Sequence, residues 1–307
     1  MTGKAVQSVL VILGSTASGK SALAMELATR LGGEILCVDS MTVYRRLDIG
    51  TAKPSPEERH RVQHHLLDIV EPDEEFTVAR FVEMADAAIA DARRRGVPLI
   101  ATGGTPLYYK ALFQGLFDGP AADVEIRNRL IASGNEAMHA RLAEVDPEAA
   151  ARIHVNDTKR LARALEVHEL TGQSITSLQQ EWTSGKLRHA STFVGLNWDK
   201  DELNKRINAR VRLMVESGWL AEVQGLMQDI PQLSRTAGGA TGYAELIRHL
   251  SEGTPLVEAL EQIKIATRQL ARKQMKWFRR FENVRWLSGA RAIDDLADEV
   301  QTLWPPA

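Results

Sequence analysis

Short apolar runs recur along the chain, and segments of helical composition separate several of them. The runs occupy residues 8–13, 34–38, 97–101 and 192–196. Runs of this length between turn residues are typical of strands buried on both faces of a parallel sheet. Helical patterns fill residues 20–31 and 79–95. This alternation predicts an α/β protein with a parallel sheet flanked by helices.

The middle of the chain has a different pattern, because no convincing strand occurs from residue 123 to about residue 180. Helical patterns cover residues 124–132, 136–144, 147–153 and 158–171 instead. We therefore predict a core that is interrupted once. Residues 1–120 form its first part, 121–189 an all-helical insertion domain, and 190–307 its second part. The second part is largely helical, with helices predicted at 201–217 and 256–281.

Composition excludes several classes of protein. The 307 residues are 44% apolar and 25% charged, which is ordinary for a folded protein. No apolar run approaches the ~20 residues needed to span a bilayer, and the first residues lack the pattern of a secretion signal. The single cysteine, Cys37, excludes an intramolecular disulfide framework and a multi-cysteine zinc site. A cytoplasmic protein without membrane contact is expected.

The first apolar run leads into a glycine-rich loop, Gly14-Ser-Thr-Ala-Ser-Gly-Lys-Ser21, which fits the pattern G-x-x-x-x-G-K-[ST]. A predicted helix follows it. In this context the loop amides and the helix N-terminus attract phosphate oxygens, Lys20 adds a positive charge, and the Ser21 hydroxyl can bind Mg²⁺. The alternative is a chance glycine-rich turn, which the strand–loop–helix context disfavours. The motif does not identify the phosphate compound.

Asp39 ends the second apolar run, at the sheet edge where open α/β proteins bind ligands. Its carboxylate could bind Mg²⁺, accept a proton, or cap the following turn. A second acidic residue at a strand end is typical of hydrolytic phosphate-loop proteins, but residues 99–105 end in Thr and Gly. This disfavours a motor or switch NTPase and leaves a small kinase or a diphosphate-using transferase.

Further strings resemble the bacterial tRNA dimethylallyltransferase (isopentenyltransferase) family, and the similarity spans nearly the whole chain. They include Asp39-Ser-Met-Thr-Val-Tyr-Arg45, Asp48-Ile-Gly-Thr-Ala-Lys-Pro54, Gly103-Gly-Thr105, Arg160-Leu-Ala-Arg-Ala-Leu-Glu166 and Ala266-Thr-Arg-Gln-Leu-Ala-Arg-Lys-Gln274. Eukaryotic members often carry a C-terminal zinc finger, which a single cysteine forbids. The resemblance implies a phosphate-loop fold and a prenyltransferase.

This family transfers a dimethylallyl group from dimethylallyl diphosphate to N6 of the adenosine on the 3′ side of the anticodon. By resemblance, Asp39 is the general base, and Thr105 and Arg127 lie near the reacting groups. Mg²⁺ is the implied cofactor, with Ser21 as its ligand. The implied diphosphate-binding residues are Gly14, Ser15, Thr16, Ala17, Ser18, Gly19, Lys20, Ser21 and Arg210.

The implied acceptor is the anticodon stem-loop of tRNA, whose target base must leave its stack to react. Ala244 stands where the family commonly has a basic residue. No protein partner is implied, and a monomer is expected. The implied tRNA-binding residues are Asp39, Ser40, Met41, Thr42, Lys159, Arg160, Leu161, Ala162, Arg163, Gly239, Ala240, Thr241, Gly242 and Tyr243.

The overall charge of −2 hides a basic segment near the end of the chain. Residues 268–291 hold eight basic side chains and one acidic one, a net charge of +7. Arg268, Arg272, Lys276 and Arg279 recur at helical spacing and share one stripe. Such a stripe is either a solvated face or a footprint for a phosphate backbone.

Three other functions fit part of the sequence. An adenylate isopentenyltransferase would use the same chemistry on a free nucleotide, but it needs neither a helical insertion nor a basic stripe. A small-molecule kinase would bind ATP in the loop. An RNA-binding protein with a vestigial loop is disfavoured because Lys20, Ser21 and Asp39 are all present.

Overall fold

The structure, a computed structural model, describes residues 8–115, 119–180 and 187–304. It divides into two compact units. The core unit contains residues 1–113 and 187–307, and the insertion unit contains residues 114–186. The predicted domain boundaries at 121 and 189 stay predictions.

The described residues of the core unit form a six-stranded parallel sheet. Its order is β3-β2-β4-β1-β5-β6. The strands are β1 (Val9–Gly14), β2 (Glu34–Cys37), β3 (His64–His65), β4 (Leu99–Thr102), β5 (Ser191–Asn197) and β6 (Val284–Ser288). The predicted α/β fold class is confirmed.

Helices connect and cover these strands. Before the insertion the helices are α1 (Lys20–Leu31), α2 (Pro56–Arg61), α3 (Val78–Arg95) and α4 (Pro106–Tyr109), the last continued by a π-helix, Lys110–Gln114. The insertion unit contains α5 (Val124–Ala132), α6 (Asn135–Val145), α7 (Pro147–Arg152), α8 (Thr158–Thr171) and α9 (Ile175–Gln180). After it come α10 (Lys200–Glu216), α11 (Trp219–Asp229), α12 (Arg235–Gly238), α13 (Tyr243–Glu252), α14 (Leu256–Phe278) and α15 (Ile293–Leu303).

Strand β1 lies between two apolar cores, one on each face of the sheet. Val11 and Leu13 face the core that includes α3 and α14, whereas Leu10 and Ile12 face the core of α1 and α15. All four are fully buried. Burial on both faces explains why this strand is an unbroken apolar run, and it places the loop after β1 at the carboxyl edge of the sheet.

The insertion unit has an apolar core of its own. Leu130, Met138, Leu142, Leu161 and Leu165 are buried together on α5, α6 and α8. Between residues 119 and 180 no strand interrupts these helices. In the described part of the chain, no helix is both long and apolar enough to cross a membrane.

Two strands were not predicted from the sequence. β3 has two residues, too few for a periodic pattern. β6 lies at the sheet edge and carries the exposed Arg285, so its apolar signal is weak. The last long helix ends at Phe278 and not at residue 281, because the chain turns back toward β6.

Candidate active site

The loop after β1 folds as a phosphate-binding loop folds. Gly19 adopts a left-handed conformation with φ +93° and caps α1, whose first residue is Lys20. The first turn of a helix leaves its backbone N–H groups without intrahelical acceptors, so they are available to an anion. At Gly14 an added Cβ would lie 2.5 Å from the Ser18 hydroxyl, so the loop has no room there for a side chain.

Three side chains from the second part of the core hold this loop in place. Gln274 accepts a hydrogen bond from the Thr16 amide at 2.8 Å. The Trp198 indole N–H donates to the Ser18 carbonyl at 2.9 Å, and Arg206 Nε donates to the Ala17 carbonyl at 2.9 Å. The Arg206 guanidinium also lies 4.3 Å from the Trp198 ring centroid. No sequence pattern predicts these contacts. Only Gln274 stands out in the sequence, as the last residue of the family string 266–274.

Lys20 is buried beside the loop, with 8% of its surface exposed. Its ammonium donates to the Ser15 carbonyl at 3.2 Å. Burial, together with the nearby Arg210, lowers the pKa of Lys20 to about 8, and Asp39 opposes this shift. Burial likewise lowers the pKa of Arg210, again opposed by Asp39. The two cations and the carboxylate therefore act on one another electrostatically.

Asp39 has both carboxylate oxygens held by backbone amides. Met41 N–H donates to Oδ1 at 2.8 Å, and Gly104 N–H donates to Oδ2 at 2.9 Å. The second contact needs a close approach of the β2 and β4 ends, since a Cβ on Gly103 would lie 2.1 Å from the Val38 carbonyl oxygen. The Gly-Gly pair after β4 thus fixes the Asp39 carboxylate.

Thr105 supports the same turn from the other side. Its amide donates to the Val38 carbonyl at 3.3 Å. Its hydroxyl accepts from the Ser40 amide at 2.9 Å and donates to the Ser40 hydroxyl at 3.1 Å. Thr105 therefore fixes the backbone next to Asp39.

One cavity of about 310 Å³ in the core unit brings ten of the predicted residues together. Phosphate-loop residues and Arg210 line one part of it, and Asp39 lies among them. Residues 50–54 also line it, as do Ala240, Thr241 and Tyr243. The predicted residues that line it are Thr16, Lys20, Ser21, Asp39, Met41, Thr42, Arg210, Ala240, Thr241 and Tyr243.

The donor set in this cavity suits Mg²⁺ bound together with a phosphate ligand. Mg²⁺ prefers oxygen ligands and often takes only one or two from the protein, with water and substrate phosphates supplying the rest. Ser21 is exposed and lines the cavity. Within residues 8–115, 119–180 and 187–304 no group of three or more His, Cys, Asp or Glu side chains could hold a metal without such a ligand.

Six of the predicted residues, Arg127 and residues 159–163, lie in the insertion unit. Arg127 and Arg163 both pair with the fully buried Glu166, at 2.9 and 2.7 Å. Burial opposes ionisation of Glu166, but these arginines and the Asp123 amide outweigh it and lower its pKa. The side chains of Leu161 and Ala162 are buried in the insertion core. The neighbouring Lys159 and Arg160 side chains are exposed, so they are the members of this group with cationic ends at the surface.

The basic stripe on α14 lines a separate groove. Arg268, Arg272, Lys276 and Arg279 face a cavity of about 450 Å³, together with Lys200 of α10. Arg268 donates to Asn208 at 2.8 Å, while Arg272, Lys276 and Arg279 are exposed. The groove also reaches Ser15, so it starts at the phosphate loop.

Comparisons with known proteins cover most of the chain. A family model described as IPP transferase matches residues 42–281, and one described as isopentenyl transferase matches residues 7–71. A tRNA dimethylallyltransferase of Geobacter metallireducens is 45% identical over 95% of this chain and 96% of its own. One from Acetivibrio thermocellus is 43% identical over 92% of each chain.

Solved structures give the same result. The full-length tRNA isopentenylpyrophosphate transferase of Bacillus halodurans has a TM-score of 0.72 and 36% identity, covering 96% of this chain and 95% of that one. A eukaryotic dimethylallyltransferase acting on tRNA has a TM-score of 0.80 and 28% identity, covering 92% and 74%. The family and enzyme class predicted from the sequence are confirmed: this chain belongs to the IPP transferase family and is a transferase enzyme.

Proposed function

We propose that the protein transfers a dimethylallyl group from dimethylallyl diphosphate to N6 of the adenosine on the 3′ side of the anticodon in tRNA. The relatives with high coverage are tRNA dimethylallyltransferases, which supports tRNA isopentenylation as the activity. One observation carries the finer proposal. A single cavity brings together phosphate-loop residues, the cationic side chains of Lys20 and Arg210, and a carboxylate that two backbone amides hold in place.

The phosphate loop then stabilises the leaving group. The C–O bond between the allylic carbon and the diphosphate breaks while the C–N bond forms, so negative charge grows on the diphosphate. In this proposal the growing charge faces the amides of the first turn of α1, together with Lys20 and Arg210 of the cavity wall. Donors fixed before the reaction need no rearrangement as charge develops, which makes their stabilisation effective.

Mg²⁺ bound to Ser21 and the diphosphate would neutralise part of the same charge. The exposed hydroxyl of Ser21 at the cavity wall supports this assignment.

Asp39 acts on the acceptor. As N6 attacks the allylic carbon it carries an excess proton, and the Asp39 carboxylate takes that proton. Each carboxylate oxygen accepts one backbone hydrogen bond and keeps further lone-pair capacity for N6. Because Met41 and Gly104 hold both oxygens, the base is positioned before the acceptor arrives.

The tRNA would contact three cationic or polar surfaces. These are the cavity wall at Ala240, Thr241 and Tyr243, the groove of the basic stripe, and the exposed Lys159 and Arg160 of the insertion unit. Cationic side chains along a groove favour a phosphate backbone.

A transfer assay tests the proposal. The protein is incubated with labelled dimethylallyl diphosphate, Mg²⁺ and unmodified tRNA, or with AMP instead of tRNA. We expect label at N6 of the adenosine next to the anticodon and none in AMP. A tRNA in which that adenosine is replaced by guanosine is the matched control.

Two outcomes would overturn the proposal. Label only in AMP would identify an adenylate isopentenyltransferase. No transfer to either acceptor, combined with ATP-dependent phosphorylation of a metabolite, would identify a kinase.

A further inference from the structure

Glu222, on α11, binds two separate segments of the core unit through one carboxylate. Its Oε2 accepts from the amides of Ile49 at 2.8 Å and Asp48 at 3.0 Å. Its Oε1 accepts from the Tyr243 hydroxyl at 2.6 Å and, at 3.5 Å, from the Gly50 amide. An ionised carboxylate only accepts hydrogen bonds, so it suits a site where every neighbour is a donor.

Trp219, one helical turn earlier, reinforces this link. Its side chain is buried, with 1% exposed, and packs edge-on against Tyr243. A Cβ on Gly50 would lie 2.2 Å from the indole nitrogen, and a Cβ on Gly242 would lie 2.0 Å from the ring. Both glycines therefore let the backbone of the two segments close on this ring.

The two linked segments form a wall of the cavity. Residues 50–54, which begin at the last of the Glu222-bound amides, line the cavity from Gly50 to Pro54. Ala240, Thr241 and Tyr243 line it from the other segment. The phosphate loop is held by other side chains, so Glu222 acts on a different part of the site.

We propose that Glu222 is a positioning residue that fixes the acceptor side of the cavity, so that the target base of tRNA enters facing Asp39. This inference rests on the proposed function. Glu222 touches neither substrate; it acts through the amides of residues 48–50 and through Tyr243. Losing it should therefore weaken use of tRNA and leave use of the diphosphate substrate nearly unchanged.

The experiment compares Glu222→Ala, Glu222→Gln and Tyr243→Phe with wild type, and Gln224→Ala, exposed on the same helix, is the matched control. For Glu222→Ala we expect kcat/KM for tRNA to fall by about tenfold or more, with KM for dimethylallyl diphosphate changed less than about twofold. Glu222→Gln keeps one acceptor oxygen and should fall less. Tyr243→Phe removes a single hydrogen bond and should also fall less.

Two readouts do not depend on transfer. Hydrogen exchange at the amides of residues 48–50 should become faster in Glu222→Ala than in wild type, and filter binding should show weaker tRNA binding. Gln224→Ala should match wild type in both.

Several results would overturn the inference. One is faster hydrogen exchange at residues 48–50 in Glu222→Ala with an unchanged kcat/KM for tRNA, which would show that Glu222 stabilises the fold without affecting use of tRNA. Another is an equal loss toward both substrates, which would indicate general misfolding. A wild-type protein that transfers nothing to tRNA would overturn the proposed function. In that case, hydrogen exchange at residues 48–50 and filter binding of tRNA would still decide whether Glu222 fixes the cavity wall for RNA binding.

Discussion

A carboxylate serves as a base only when its oxygens are held where the proton will leave. For Asp39, the proposed base, amides from two different turns, Met41 and Gly104, hold both oxygens. Its position at a strand end could be predicted from the sequence. The contact with the Gly104 amide could not be predicted, since it comes from the turn after β4, 65 residues further along the chain.

Replacing Asp39 by Ala should therefore lower the transfer rate without abolishing tRNA binding. A positioned general base is worth about 10²–10⁴-fold in rate, so we expect a single-turnover rate at least about a hundredfold lower. Filter binding should give a tRNA Kd within about threefold of wild type. Asp73→Ala, at an exposed position, is the control. A loss of binding as large as the loss of rate would make Asp39 an anchor for tRNA.

Lys20 predicts a pH dependence of diphosphate binding. Burial lowers its pKa to about 8, so the free protein loses this positive charge as the pH rises through that value. Affinity for dimethylallyl diphosphate should be highest below pH about 8 and fall above it, by up to about tenfold per pH unit. Cys37 lines the same cavity, but burial raises its pKa to about 12, so it stays neutral in this interval.

Calorimetric titrations between about pH 7 and pH 9.5 check this sign. Lys20→Arg keeps a positive charge over the whole interval and should flatten the fall, although its larger side chain changes the absolute affinity. Affinity that increases above pH 8, or a fall that survives in Lys20→Arg, would assign the titration to another group.

Among the helices and strands, an element could be predicted from the sequence when its contacts are local and its burial leaves a clear apolar pattern. β1 and the loop after it are local, and burial on both faces gives β1 a continuous apolar run, so both could be predicted. β3 and β6 are short edge strands, whose pairing depends on neighbours that no local pattern reveals. Gln274 reaches the loop from 258 residues away for the same reason.

The basic stripe of α14 supports a prediction about salt. Each phosphate contact that is lost should reduce the slope of log K against log salt concentration by about 0.7–0.9. Arg272→Ala and Lys276→Ala, which line the groove, should each weaken tRNA binding and flatten its salt dependence. Lys273→Ala removes the same charge from the same helix, outside the groove residues, and should have less effect.

Binding measured across a series of salt concentrations checks this prediction. If the groove variants and wild type gave equal slopes of log K against log salt concentration, the stripe would be a solvated face that does not contact tRNA. A slope for Lys273→Ala as low as that of Arg272→Ala would indicate diffuse attraction by the whole helix.

At the scale of the molecule, the chain builds more than one apolar core. One pair of cores covers the two faces of the sheet, and a third lies inside the insertion unit. Leu142 is fully buried in the third core, and Leu296 is fully buried on α15 against the sheet. Since each leucine packs within its own cluster, the two units should respond separately to the loss of one of these side chains.

Leu142→Ala tests this separation. A buried Leu→Ala change costs about 2–5 kcal/mol, which should appear as faster hydrogen exchange of amides within residues 119–180. Amides of β1 and β4 should keep their protection, and dimethylallyl diphosphate, whose proposed site lies wholly in the core unit, should bind as in wild type. Leu296→Ala is the reciprocal variant and should loosen the sheet amides first. Equally faster exchange in Leu142→Ala at residues 119–180 and at β1 and β4 would contradict this prediction. It would show that the two units unfold together, so that the insertion unit cannot open locally while the diphosphate site stays folded.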